Sequence, residues 1–303
     1  MTGPGSTGAA GGVSVLLMVV MLAWGGNIPA VKALTGVMDV AWVGLVRLGL
    51  ATLALTVFLL VRDRRLPNLR SRDWAVLAVI AFLTIYLNQL LFVVGMRLSA
   101  AATASLVMAL NPLLAVLAAA LVLRERIGGR RAAGVVLGFT GVAVVVLMAP
   151  GARVGPPGLG ELSLLAGLVV FISGGLLIQR QVRNLDVLAL GWAIYLLGTA
   201  MLAVHALVVG GWERTAAAFG TGWVWWVALY SGVLGTALSN IGWYHAIGRV
   251  GQARAAPYLY WIAVFGVLSS AIALGEPLSW WHAIGLALLV AGVRLGASLG
   301  RAD

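Results

Sequence analysis

The sequence predicts an all-α membrane protein of ten transmembrane helices, arranged as two inverted five-helix repeats. Three observations carry this expectation. Apolar stretches of twenty-odd residues recur along the whole 303-residue chain, arginines gather in alternate connections between them, and the two halves align at a fixed offset.

The apolar stretches come first. The chain is 62% hydrophobic and 10% charged, whereas a soluble domain carries about 25% charged residues. Lipid is the solvent that accepts such a surface, and a helix needs about 20 residues to cross about 30 Å of hydrocarbon. Spanning segments are helices or closed barrels, because lipid cannot satisfy a backbone amide. Barrel strands alternate apolar and polar residues; Val135–Met148 is continuously apolar, so helices are expected.

The spans read 13–34, 40–61, 74–96, 101–123, 131–149, 161–179, 186–209, 222–246, 254–275 and 279–298. The first carries Trp24-Gly-Gly-Asn27, and the second contains Arg47. The third holds Tyr86, Asn88 and Gln89, and the fourth Asn111-Pro112. The fifth and tenth are rich in Gly and Ala. The sixth is weakly polar in its middle and carries Phe171 and Gly174-Gly175. The seventh contains His205, and the eighth Ser239, Asn240, Tyr244 and His245. The ninth opens on Pro257, Tyr258, Tyr260 and Trp261. Residues 1–12, rich in Gly, Ser and Thr, are expected to form a disordered cytoplasmic tail. They lack the basic region of a signal peptide, and the apolar run from Val13 is too long for one. The repeats are then 13–149 and 161–298.

Basic residues set the orientation, because cytoplasmic loops are enriched in Lys and Arg. With both termini cytoplasmic, the inner connections and the C-terminal end hold 15 of the 20 basic residues. The outer ones hold Lys32, Arg97, Arg153 and Arg214, and Arg47 lies within a span. Trp42, Trp212, Trp223, Trp225, Trp226, Trp280 and Trp281 fall at expected outer helix ends, where indoles favour the interface.

At an offset of 151 residues the halves align without a gap over about 55 positions. Leu87 falls on Leu238, Glu125 on Glu276, Gly134 on Gly285, and Gly141-Val142 on Gly292-Val293. The competing explanation is that helices rich in Ala, Gly and Leu align by composition; the two rare glutamates, each ending a span, argue against it. Five spans is an odd number, so the second half inserts upside down. Inverted repeats are a transporter architecture, with the substrate site near midplane where the repeats meet.

With these residues in place the chain resembles the drug/metabolite transporter superfamily, specifically the EamA-type ten-helix exporters. The resemblance rests on Trp24-Gly-Gly-Asn27, Arg47, mid-helix Asn111-Pro112, and two span ends, Leu123-Arg-Glu125-Arg and Leu274-Gly-Glu276-Pro277, each followed by a glycine-bearing helix. It implies a central cavity lined by the first, third, fourth, sixth, eighth and ninth helices. It also implies export of small metabolites, commonly amino acids, from the bacterial cytoplasm across the inner membrane; the aromatic amino acid type is one match. One departure matters: the counterpart of Asn111-Pro112 is Ile262-Ala263, and the proline of that helix is Pro257.

Candidate substrate-binding residues are Trp24, Asn27, Tyr86, Asn88, Asn111, Phe171, Asn240, Tyr258 and Trp261, with Arg47, Pro112 and Pro257 as gating or structural positions. Each has a competing role. Arg47 attracts a substrate carboxylate or organises a gate, or else it snorkels or caps a helix break. Pro112 frees a backbone carbonyl at midplane, for function or for a packing kink. The buried amides and tyrosines contact substrate or bond neighbouring helices. The aromatic residues form a cavity wall or pack. Glu125 and Glu276 are read as interfacial, paired with Arg124, Arg126 or lipid headgroups.

An enzyme would need a nucleophile and base or a metal cluster; there is no Cys, only three His, and no paired-carboxylate motif. No cofactor, metal or nucleic acid is expected. The net charge of +11 belongs to short loops rather than to a soluble basic face. No carboxylate lies deep in a span, so no essential intramembrane Asp or Glu is expected. The partners are a small-molecule substrate and the bilayer, and a monomer suffices for transport. Multidrug, nucleoside or small-cation export, or a channel or partner-subunit role, are the alternatives.

Overall fold

The computed structural model describes residues 6–63, 71–111, 113–114, 117–118, 129–148, 158–181, 187–250 and 256–297. Helix occupies each of the ten expected spans among these residues, and helices are numbered below by span. Six are long and apolar enough to cross a membrane: Gly12–Val37, Val40–Arg62, Trp74–Leu98, Leu159–Leu177, Leu188–Val209 and Gly222–Trp243. Ala132–Val145, Trp261–Leu274 and Trp280–Gly292 are shorter apolar helices.

Two features differ from expectation. The first helix is Ser6–Val37, so it takes in part of the stretch expected to be a disordered tail. Ala9 and Ala10 are strong helix formers, and extending an existing helix needs no new nucleus. A further short helix, Trp212–Phe219, joins the seventh and eighth. Its eight residues are too few to register as a span.

The third helix runs Ser71–Ala81, a π-helical stretch Phe82–Leu87, then Asn88–Leu98. The eighth repeats the device as Gly222–Leu229, a π-helical Tyr230–Leu238 and Ser239–Val250. The offset of 151 carries 82–87 onto 233–238, inside the second π stretch. There the Thr236 hydroxyl donates to the Ser231 carbonyl at 2.7 Å and Ser239 to Leu234 at 2.5 Å, each reaching five residues back.

Helix packing relies on glycine and on polar pairs. The fifth helix, Gly129–Met148, and the tenth, Trp280–Ala297, run antiparallel with their backbones in contact. A Cβ on Gly141 would lie 2.6 Å from the Gly285 carbonyl oxygen, and one on Gly292 2.5 Å from that of Gly134. The 151-residue offset exchanges these two contacts. Thr52 and Thr199 share a hydrogen bond of 2.9 Å between the second and seventh helices, beside Trp192 Nε1 donating to Thr56 at 2.9 Å. The ninth helix, Tyr260–Leu274, lies along the first, where a Cβ on Gly25 would meet Phe265 Cβ at 2.6 Å.

Prolines mark two breaks. The fourth helix begins as Ala101–Met108, and the chain then turns at Ala109–Leu110, directly ahead of Asn111-Pro112. Leu110 N–H bonds Val107 at 3.0 Å, a three-residue rather than four-residue step. A proline at 112 cannot donate to residue 108 and clashes with that turn; Pro112 itself lies outside the described residues. Pro29, inside the first helix, leaves the Gly25 carbonyl without its helical donor, and Ser269 Oγ reaches it at 3.4 Å. Pro257 sits in a 3-10 turn, Ala256–Leu259, that opens the ninth helix, where a missing N–H is tolerated.

Gly141→Ala should destabilise the protein by about 1–3 kcal/mol, since its Cβ meets backbone that cannot rotate away. Gly49→Ala, with nothing within 4 Å of its Cβ, should be neutral or stabilising by up to about 1 kcal/mol. Unfolding of the detergent-solubilised variants checks both.

Candidate functional site

Arg47 is 2% exposed, so it does not snorkel to the surface. Its Nε donates to Ser231 Oγ at 2.5 Å and its Nη1 to Gln89 Oε1 at 3.0 Å. Its guanidinium lies 5.8 Å from the centre of the Phe92 ring. Ser231 in turn donates to Asn27 Oδ1 at 2.5 Å, and Asn27 Nδ2 to the Gly235 carbonyl at 3.5 Å. The network joins the first, second, third and eighth helices. Close approach is possible because residue 232 is Gly: a Cβ there would stand 2.6 Å from the Arg47 carbonyl oxygen. Ser231 and Gly235 belong to one π stretch, and Gln89 lies two residues past the other. Among the described residues, no carboxylate lies within ion-pair distance of Arg47.

Of the nine expected binding residues, Asn27 alone joins this network. Trp24 packs on Trp243, ring centres 5.6 Å apart. Tyr86 bonds His205 Nδ1 at 2.8 Å, tying the third helix to the seventh. Asn88 donates to the Gly167 carbonyl at 2.9 Å, and Asn240 to the Tyr195 hydroxyl at 2.7 Å, each a bond between helices. Asn111 is half-buried at the break in the fourth helix. Phe171 is 43% exposed on the sixth. Tyr258 donates to Ser14 Oγ at 2.9 Å. With Val15, Met18, Leu22 and Phe265 it lines a groove of about 480 Å³ between the first and ninth helices. Trp261 is also 43% exposed, with its ring 5.6 Å from Phe265.

The opposite end of these two helices is closed by side chains that the sequence reading did not connect. Glu276 follows Gly275, whose φ of 65° lies in the left-handed region that glycine takes readily. The carboxylate accepts the Ala101 and Ala102 N–H groups at 2.8 and 2.9 Å. It caps the fourth helix, a partner across the chain that the reading of Glu276 as an interfacial residue did not include. Lys32 Nζ donates to the Ser99 and Arg97 carbonyls at 2.7 and 3.1 Å, and Ser99 Oγ to Glu161 Oε1 at 2.7 Å. A sequence signal existed: Ser99-Ala-Ala-Ala offers the fourth helix no acidic first turn, and Ala100 supplies no side-chain cap. Glu125 lies outside the described residues.

The sequence model of the EamA-like transporter family matches this chain twice, over residues 12–147 and 158–296. A probable terminal-alkyne amino-acid exporter of Streptantibioticus cattleyicolor is 27% identical over 92% of this chain and 91% of its own. The uncharacterised transporter YvbV of Bacillus subtilis is 26% identical over 93% and 90%, and YetK of the same species 23% over 80% and 74%. A crystal structure of a protein 19% identical superposes with a TM-score of 0.67, covering 96% of this chain and 98% of that one. This last likeness concerns the fold alone.

Ser231→Ala removes the Nε acceptor of a buried cation and should cost about 1.5–3 kcal/mol. Asn88→Ala removes a neutral interhelical bond and should cost about 0.6 kcal/mol, the mean for such bonds in a bilayer. Thermal unfolding of the purified variants should rank them in that order.

Proposed function

Because the chain belongs to the EamA-like transporter family, we propose that it is a secondary transporter that exports small metabolites, foremost amino acids, by alternating access across the bacterial inner membrane. The observation that carries this reading is the double family match, one copy in each half of the chain. The exchange of the Gly141–Gly285 and Gly134–Gly292 contacts supports an inverted pair of five-helix repeats at 13–149 and 161–298. The distribution of arginines supports cytoplasmic termini. Amino acids lead because a relative that covers nearly the whole chain is named a probable exporter of one.

The Arg47 network is the centre of the proposed site. A buried guanidinium has five donors; two go to neutral oxygens, and none meets a carboxylate among the described residues. A substrate carboxylate reaching it would gain charge-assisted hydrogen bonds in a low-dielectric interior. Trp24, Asn27, Tyr86, Asn88, Asn111, Phe171, Asn240, Tyr258 and Trp261 remain the proposed lining along the substrate's path, with Pro112 and Pro257 as breaks that shape it. The bonds of Tyr86, Asn88 and Asn240 to neighbouring helices also serve packing.

Proteoliposomes loaded with unlabelled amino acids should take up the labelled forms by saturable counterflow. Absence of exchange across aromatic and aliphatic amino acids would overturn the assignment. Arg47→Met should raise KM for the exchanged amino acid by roughly tenfold to a hundredfold, with Arg47→Lys intermediate. Competition by the corresponding amino-acid amide should be unaffected.

A further inference from the structure

We propose that Glu276 is a releasable latch holding the Lys32 end of the bundle closed, and that its carboxylate must leave the fourth helix for that end to open. The inference rests on the alternating-access reading and adds a residue to it.

The first N–H groups of a helix have no intrahelical acceptor, and a carboxylate there also meets the positive end of the helix dipole. Glu276 supplies both oxygens to two successive N–H groups of the fourth helix. It comes from the connection between the ninth and tenth helices, so the bond crosses between the two halves. The turn just ahead of those amides, residues 97–99, is gripped by Lys32 from the first helix and by Glu161 from the sixth. Three charged side chains thereby fasten the third-to-fourth connection to the first, sixth and ninth helices.

The residues beneath the latch are small. Ala101, Ala102, Thr103, Ala104 and Ser105 are each at most 1% exposed, and side chains this short bury little apolar area to hold the helix by themselves. The polar bonds therefore add to the closure that Leu106 and Val107, further along the helix, supply by burial. They are also bonds that water can replace: once the end opens, hydration compensates both the carboxylate and the amides. An apolar zipper of large side chains would have no such substitute, so this closure is suited to repeated release.

The chain contains no cysteine, which makes single-cysteine reporters free of background. Ser105→Cys reports the latched end, where it is fully buried; Met18→Cys reports the groove towards the other end. In membrane vesicles of each orientation, labelling by an impermeant maleimide is followed with Glu276 intact or changed to Ala. Loss of the latch should raise the Ser105→Cys rate roughly tenfold, the equivalent of one charge-assisted bond, and lower the Met18→Cys rate. Glu276→Gln, which keeps one acceptor oxygen, should shift both in the same sense by less, and it serves where Glu276→Ala fails to insert. An unchanged Ser105→Cys rate overturns the proposal. So does a rise at both reporters, the mark of general loosening. Amino-acid counterflow in the same vesicles separates the two ideas. Opposed labelling without exchange leaves the latch standing and sinks the substrate assignment; exchange without a labelling response does the reverse.

Discussion

Inside hydrocarbon a polar side chain has no solvent to return to, so it must close on another part of the protein. Most of the architecture follows from that constraint. Apolar surface alone cannot hold these helices together, because lipid tails are as apolar as leucine. Close backbone contact does, at Gly141 with Gly285, and polar pairs do, at Thr52 with Thr199, Asn88 with Gly167 and Asn240 with Tyr195. Arg47 is the extreme case. Burying a cation is costly, and the second helix is placed against the eighth closely enough for Ser231 to meet it.

The reading from sequence succeeded where the physics is local. Apolar residues in long runs identify helix wherever they sit: among the described residues helix occurs in every expected span, and six helices are long and apolar enough to cross a membrane. Asn111-Pro112 announced a break, and the chain turns just ahead of it. Partners across helices were hidden. Asn88 and Asn240 are polar residues in apolar helices, and nothing in their sequence context says whether a ligand or a neighbouring carbonyl takes their hydrogens. The π stretches were hidden for the same reason: an extra residue in a helical turn is stabilised by what packs against it. The partners of Glu276 were hidden because a carboxylate beside Leu-Gly and Pro reads as a turn, while the amides it caps lie 174 and 175 residues away.

The glycine contacts of the fifth and tenth helices repeat at the 151-residue offset, and the buried cation does not. The offset that matches the glycines of the fifth and tenth helices carries Arg47 onto Gly198, which packs against Ile85. The only cation buried within a span among the described residues thus belongs to one half. On the proposed reading, a substrate carboxylate drawn to it would find no second guanidinium at the matching position of the other half, which is Gly198.

The indoles at the helix ends add a practical consequence. Trp42, Trp212, Trp223, Trp225, Trp226, Trp280 and Trp281 are seven of the chain's twelve tryptophans. All sit at the end that Glu276 closes, with Trp42 and Trp212 5.0 Å apart and Trp280 and Trp281 4.5 Å apart. The protein's ultraviolet emission is therefore weighted towards one face. Of the seven only Trp42 is buried, its indole N–H held by the Gly210 carbonyl; wetting of that one ring would redden the spectrum, so the unlabelled molecule carries its own optical gauge of that contact.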